Sequence, residues 1–187
     1  MEKKFVLTET TKEFYGITLY QIKAVRAFGN VEKGELGGWI EKEENINQYG
    51  DAWVSGNARV SGNARVYGDA WVFGNARVFG DAEVFGDARV YGNARVYGNA
   101  LITSCRHIFW ASMVGSEDGT ITAYTIKNGE IEITRGCFRG TIGQFETAVE
   151  NHHGVNQIGQ EYTLLIQYVR LRFKEVTIAA EVGEEEK

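Results

Sequence analysis

Ala88-Arg89-Val90-Tyr91-Gly92-Asn93 is followed at once by Ala94-Arg95-Val96-Tyr97-Gly98-Asn99, and this repeated hexad decides the fold. Valine recurs at every sixth position from Val54 to Val96, and Ile102, Ile108 and Val114 continue the spacing. Alanine stands two residues before each valine, from Ala52 onward to Ala100 before Ile102. Glycine recurs from Gly50 to Gly98, each followed by Asp or Asn. Residues two apart share one face of a strand, so Ala and Val point to one side and Arg and Tyr to the other. Gly-Asn and Gly-Asp then turn the chain, because both residue types tolerate the left-handed conformation. A short strand and a sharp corner, repeated without a break, make the chain coil around an Ala/Val interior.

The number of strands per coil is written in residue types that echo at 18. Asp51, Asp69 and Asp87 share a type, as do Asn57, Asn75 and Asn93, and Arg59, Arg77 and Arg95. Trp53 precedes Trp71, Phe73 precedes Tyr91 and Phe79 precedes Tyr97 by the same step. Three hexads per coil predict a triangular prism in which like residues stack in columns, with a rise of roughly 4.8 Å per coil. A flat meander of hairpins would alternate strand direction and leave the 18-residue echo unexplained.

The ends depart from the repeat. Residues 1–46 hold two expected strands, Lys4-Phe5-Val6-Leu7-Thr8 and Ile17-Thr18-Leu19-Tyr20-Gln21-Ile22, with Phe14-Tyr15-Gly16 as the turn region. Leu36-Gly37-Gly38-Trp39-Ile40 then leads in, with Ile40 and Ile46 as a degenerate first rung. This segment is expected to cap the solenoid as an N-terminal β-hairpin, since an array end exposes core and strand edges. The repeat is expected over residues 47–116 and a ββαα cap over 117–187. In the latter, Ile121–Ile126 and Ile131–Thr134 flank an Asn128-Gly129 turn. Thr141 with Gln144 reads as a capping box opening a helix striped by Ile142, Phe145, Ala148 and Val149 and closed by Gly154. A second helix is expected from about Gln160 to Phe173, with Leu165, Tyr168, Val169, Arg172 and Phe173 on one face, and the acidic end Glu184–Lys187 is expected to fray.

Composition agrees. Among 187 residues there are 23 glycines and no proline, which fits many corners that need positive φ. Net charge is −5 and the pI about 5.3, which speaks against general nucleic-acid binding. The two cysteines, Cys105 and Cys137, form no framework, and a reducing compartment is expected. No apolar h-region or membrane-length run occurs, so a cytoplasmic protein is expected, in the host cell if phage-encoded.

The hexad resembles the repeat of hexapeptide left-handed parallel β-helices, in which an aliphatic residue is followed four positions later by a small one, as Val60 is by Ala64 and Val78 by Ala82. Left-handed winding is what that resemblance implies. Leu36-Gly37-Gly38-Trp39-Ile40-Glu41 and Gly136-Cys137-Phe138-Arg139-Gly140-Thr141 are similar to segments of a group of phage and prophage proteins, and the likeness extends over nearly the whole chain. Members are described as hypothetical, hexapeptide transferase-like or polymer-forming, so the resemblance implies a setting and no activity residue by residue.

Hexapeptide β-helices include acyltransferases that use a histidine base and an acyl-coenzyme A. His107 is the weak catalytic candidate here, outward on an irregular coil, while His152 and His153 sit where a helix end suits a partly positive imidazole. No cofactor and no metal site are expected: Cys105 and His107 have no second ligand pair, and the Asp51/Asp69/Asp87 column is explained by corner chemistry. The outward aromatics Tyr67, Phe73, Phe79, Phe85, Tyr91 and Tyr97 are candidate interface residues, or else shields for their own strands. Arg59, Arg77 and Arg95 are candidate anion or partner ligands, or else neutralise nearby acids. The expected function is a non-enzymatic binding or scaffold protein that blocks or sequesters a host (defence) component. The alternatives are a hexapeptide acyltransferase and a structural, polymer-forming protein. Expected partners are further copies of the chain, a trimer above all, with a host protein or small acidic ligand as others.

Overall fold

Each hexad becomes one two-residue strand and one corner. In the computed structural model, which describes residues 3–185, three longer strands come first: β1 (Phe5–Phe14), β2 (Ile17–Ala24) and β3 (Leu36–Ile40). Nine short ones follow: β4 (Trp53–Val54), β5 (Arg59–Val60), β6 (Arg65–Val66), β7 (Trp71–Val72), β8 (Arg77–Val78), β9 (Glu83–Val84), β10 (Arg89–Val90), β11 (Arg95–Val96) and β12 (Leu101–Ile102). Each short strand pairs in parallel with its counterpart 18 residues on, Arg59 with Arg77 and Arg77 with Arg95 for example. Three stacks result: β4-β7-β10, β5-β8-β11 and β6-β9-β12. β3 extends the second stack through Trp39↔Arg59 and Ile40↔Val60, and Ile46 bridges Val66.

Inside, the alanines from Ala52 to Ala100 and the valines from Val54 to Val96 are fully buried. At the corners only glycine fits. Gly74 has φ +70°, and a Cβ there would stand 3.1 Å from the backbone nitrogen of Gly92 in the next coil.

Coil-to-coil hydrogen bonds all run one way at the alanines: Trp53 N–H donates to Ala70 O (3.0 Å) and Arg59 N–H to Ala76 O (3.0 Å). The first coil therefore presents the carbonyls of Ala52, Ala58 and Ala64 to whatever lies beneath, and a buried carbonyl needs a donor. Three different donors meet them. The fully buried Lys4 ammonium donates to Ala52 O (2.9 Å) and Gly50 O (3.1 Å). Trp39 N–H donates to Ala58 O (3.0 Å). The buried Asn45 carboxamide donates to Ala64 O (2.8 Å) and Gly62 O (3.1 Å). Gly37 and Gly38 allow β3 this close, since a Cβ on Gly38 would lie 2.9 Å from Ala58 O and one on Gly37 2.7 Å from Val54 O. Burial holds the Lys4 pKa at about 8, with Asp51 opposing that fall and Arg26 adding to it.

β1 and β2 form an antiparallel hairpin, Phe5↔Ala24 to Phe14↔Ile17, closed by Tyr15 (φ 50°) and Gly16 (φ 77°). Two positive φ values in a two-residue loop match the twist of a hairpin. β2 in turn pairs antiparallel with β3.

The chain divides into two units, Met1–Cys105 and Arg106–Lys187. The parallel register ends at Ile102, short of the expected residue 116. Ile108 keeps the spacing of six, but Ser104-Cys105 stands where a Gly-Asn corner is needed. A 3-10 turn, Cys105–His107, replaces the corner, and β13 (Ile108–Val114) pairs antiparallel with β14 (Gly119–Thr125). β15 (Ile131–Arg135) and β16 (Phe138–Thr141) complete a four-stranded sheet, where only the β14–β15 hairpin was expected. α1 (Ile142–His153) opens on the Thr141/Gln144 capping box and ends at Gly154 (φ 53°). α2 (Gln157–Glu185) is longer than expected; it includes Glu184 and Glu185, while Glu186 and Lys187 of the acidic end lie outside the described residues. Its buried face is Tyr162, Ile166, Val169 and Phe173, packed with Phe145 and Val149 on Ile121, Ala123 and Ile133. That face is turned from the expected one: Tyr168 is exposed, though its ring lies 4.9 Å from that of Phe109, and Arg172 donates to Ile108 O.

Two outcomes are expected. Val78→Asp buries a carboxylate among Ala and Val and costs several kcal/mol, whereas Tyr91→Ser costs far less; thermal melts of the two should differ widely. Lys4→Met keeps the stem but strips donors from Ala52 O and Gly50 O, a loss of about 1–3 kcal/mol at pH 7. Between pH 8 and about 10.5 the unfolded chain holds the Lys4 proton that the folded chain has released, so this group makes wild-type stability rise with pH. The melting gap between wild type and Lys4→Met, followed from pH 7 to pH 10, should change in that sense.

Candidate functional site

All six outward aromatics meet a partner one coil away, two pairs stacked and one tilted. Tyr67 and Phe85 lie 4.6 Å apart and 5° from parallel, Phe73 and Tyr91 4.8 Å and 6°, Phe79 and Tyr97 5.5 Å and 39°. The columns differ in their surroundings. Tyr67 donates its hydroxyl to Glu83 (2.8 Å), and burial first, then Glu83, pushes its pKa up to about 12. Phe79 is covered by Phe14 from the hairpin tip (5.8 Å, 21°). Of the six, only Tyr91 is exposed, at 42%. A hollow of about 250 Å³ is lined by Asn30, Trp71, Phe73 and Arg89.

The arginine column lies on the β5-β8-β11 stack. Arg59, Arg77 and Arg95 are each half-buried and in register. The tip of the hairpin folds onto them: the Arg59 and Arg77 guanidinium carbons stand 4.2 and 5.0 Å from the centre of the Phe14 ring. Lys12, two residues earlier, sits 3.9 Å over the ring of Trp39. Burial, then the nearby Arg77 charge, lowers the Arg59 pKa; burial, then Arg59, brings Lys12 to about 8. Arg59 Nε is buried without a hydrogen-bond partner. Sequence reasoning did not name Lys12, Phe14, Trp39 or Trp71 as site residues. Phe14 read only as part of a turn, because nothing local in it says where a hairpin tip will land.

Trp53 stands at an outward position yet is fully buried, edge-on to Phe5 (6.3 Å) and Phe28 (5.3 Å). His107 is half-buried in the 3-10 turn Cys105–His107, and among the described residues no cluster of three metal-ligating side chains occurs. His152 and His153 end α1. They border a second cavity, of about 420 Å³, with Arg135, Cys137, Phe138 and Phe145. Arg135 is held there by donating to Tyr162 Oη (2.8 Å) and Val114 O (3.0 Å). No described helix is long and apolar enough to cross a membrane.

The family model for the YdcK beta solenoid repeat matches residues 58–73 and 88–102. No curated protein matches the chain. Both matched stretches lie within the parallel stacks, Ala58 to Phe73 spanning β5 to β7 and Ala88 to Ile102 spanning β10 to β12. The chain is a mainly-β protein with a parallel β-solenoid of about four turns and C-terminal helices, and its repeat is similar to that of the YdcK solenoid.

Proposed function

We propose that the chain is a non-enzymatic binding or scaffold protein of the hexapeptide-repeat, left-handed β-helix kind carried by phages and prophages. It works by presenting flat faces to partners, the first of which is another copy of itself in a homotrimer. Within the host cytoplasm such an assembly would block or sequester a host component. One observation carries this: the β4-β7-β10 side bears a hollow lined by Trp71, Phe73 and Arg89, with the exposed Tyr91 stacked on Phe73. Flat aromatic surface with an arginine at its edge is the composition favoured in protein interfaces. The repeat supports self-association as the first use of that side, since two successive coils set Trp71 and Phe73 in register with Arg89 and Tyr91, so two copies can meet coil for coil. The preference for three copies rests on the resemblance to hexapeptide β-helices.

Light scattering at micromolar concentration should report three times the 20.9 kDa chain mass, and Trp71→Ala with Tyr91→Ser should shift the protein to monomer. A wild-type monomer would overturn the self-association. Acetyl-coenzyme A should leave the melting temperature unchanged. A rise with acetyl-coenzyme A that His107→Ala abolishes would restore the acyltransferase instead.

A further inference from the structure

The β5-β8-β11 side poses a different problem. Its outward column is Arg59, Arg77 and Arg95, stacked in register one coil apart, with Lys12 beside Arg59. In-register like charges repel, and such columns normally carry interleaved acids. Here, among the described residues, no carboxylate lies within ion-pair distance of Lys12, Arg59 or Arg77. What these three groups do have is aromatic: Phe14 beneath both guanidiniums and Trp39 beneath the ammonium. Ring stacking occupies the faces of a guanidinium and leaves its N–H edge for acceptors. One such edge is already a liability, because Arg59 Nε is buried with no acceptor. Trp53 Nε1 is also buried without an acceptor, and Arg59 Nε is the one of the two that lies among the cations.

We propose that Lys12, Arg59 and Arg77 form a binding site for an oligophosphate, a chain of two or more linked phosphate groups, free or as the tail of a nucleotide. Each guanidinium offers a planar fork matched to phosphate oxygens, and Lys12 adds a point charge. The choice of a linked chain follows from the ladder: the cations form a row whose rungs repeat at roughly 4.8 Å, so a ligand with charge along a line meets successive rungs where a single phosphate cannot. Phe14 fixes the two guanidiniums before the ligand arrives, which lowers the ordering cost of binding. The site lies on a different stack from the self-association face and does not depend on it.

Thermal shift and calorimetry with inorganic phosphate, tripolyphosphate and ATP test this. Tripolyphosphate at millimolar concentration should raise the melting temperature by several degrees, and inorganic phosphate by clearly less. An equal effect of ATP assigns the site to any triphosphate chain; no effect of ATP assigns it to free oligophosphate. Arg77→Gln relieves a like-charge contact with Arg59 but gives up the Phe14 ring contact, so it should melt within a few degrees of wild type without ligand, yet bind tripolyphosphate about tenfold or more weakly. Arg77→Lys should recover part of that loss. Lys12→Gln, on the hairpin and outside the solenoid, gives the same reading if an arginine variant fails to fold. No shift of the wild type, an unchanged shift in Lys12→Gln, or equal binding of a glutamate peptide of matching charge would overturn the proposal.

Discussion

A single hydrogen-bond direction governs the first unit: the N–H after each alanine donates to the alanine carbonyl of the next coil, as Arg59 does to Ala76 and Arg77 to Ala94 (3.0 Å each). Because strand pairing fixes register, residues 18 apart must meet, and every column is made of whatever the sequence puts there. Columns are therefore stable only when their members tolerate their own kind. Alanine and valine do so by packing. Asparagine does so by donating to itself, Asn57 to Asn75 (3.4 Å) and Asn75 to Asn93 (3.3 Å). Tyrosine and phenylalanine do so by lying flat on one another. Residue choice in each hexad is thus set by the neighbour 18 residues away more than by the neighbours in sequence.

The same direction dictates how the array starts. Its first carbonyls face away from the coils, and an apolar lid would leave them unmet. The chain answers with an ammonium, a backbone amide and a carboxamide, one for each stack, delivered by Lys4, Trp39 and Asn45. These come from the residue just before β1, from β3 and from a 3-10 turn, Glu43–Asn45, so the whole lead-in is organised by three acceptors less than a coil apart. Trp53, outward by register yet wholly buried, shows how far this lead-in wraps upward.

The solenoid was legible because its determinants are local and repeated: one corner chemistry, one interior pair, one echo length. Legibility stopped where a residue's role depends on a distant segment. Ile108 carries the right spacing, but spacing without Gly-Asn at the corner cannot bend the chain, and the apolar run from Ile108 to Ala111 serves an antiparallel sheet equally well. Phe138–Thr141 read as a motif and not a strand, because its partner strand is what makes it one. In α2 the stripe was right in period and wrong in phase, since Tyr162 and Ile166, near the helix start, set the buried face. The aromatic stacking followed from the echo. The meeting of Phe14 with Arg59 and Arg77 did not, as it joins residues with no shared pattern.

That meeting also revises what the charge of the chain implies. A net charge of −5 argues against a broad basic footprint, but net charge acts over distances that salt screens to about 8 Å at physiological ionic strength. Against the Phe14 ring stand Arg59 and Arg77, with Lys12 beside Arg59, while the carboxylate of the adjacent Glu13 is engaged by the Thr18 hydroxyl. Phe14 and Trp39 lower the cost of holding them by offering ring faces instead of carboxylates, and a ring cannot neutralise a charge. A carboxylate in place of the Phe14 ring would have paired with Arg59 and Arg77 and closed them to anions; Glu13, one residue earlier, accepts from the Thr18 hydroxyl (2.6 Å) instead. The Phe14 ring orders Arg59 and Arg77 without neutralising them, so the acidic chain keeps a local group of positive charges there.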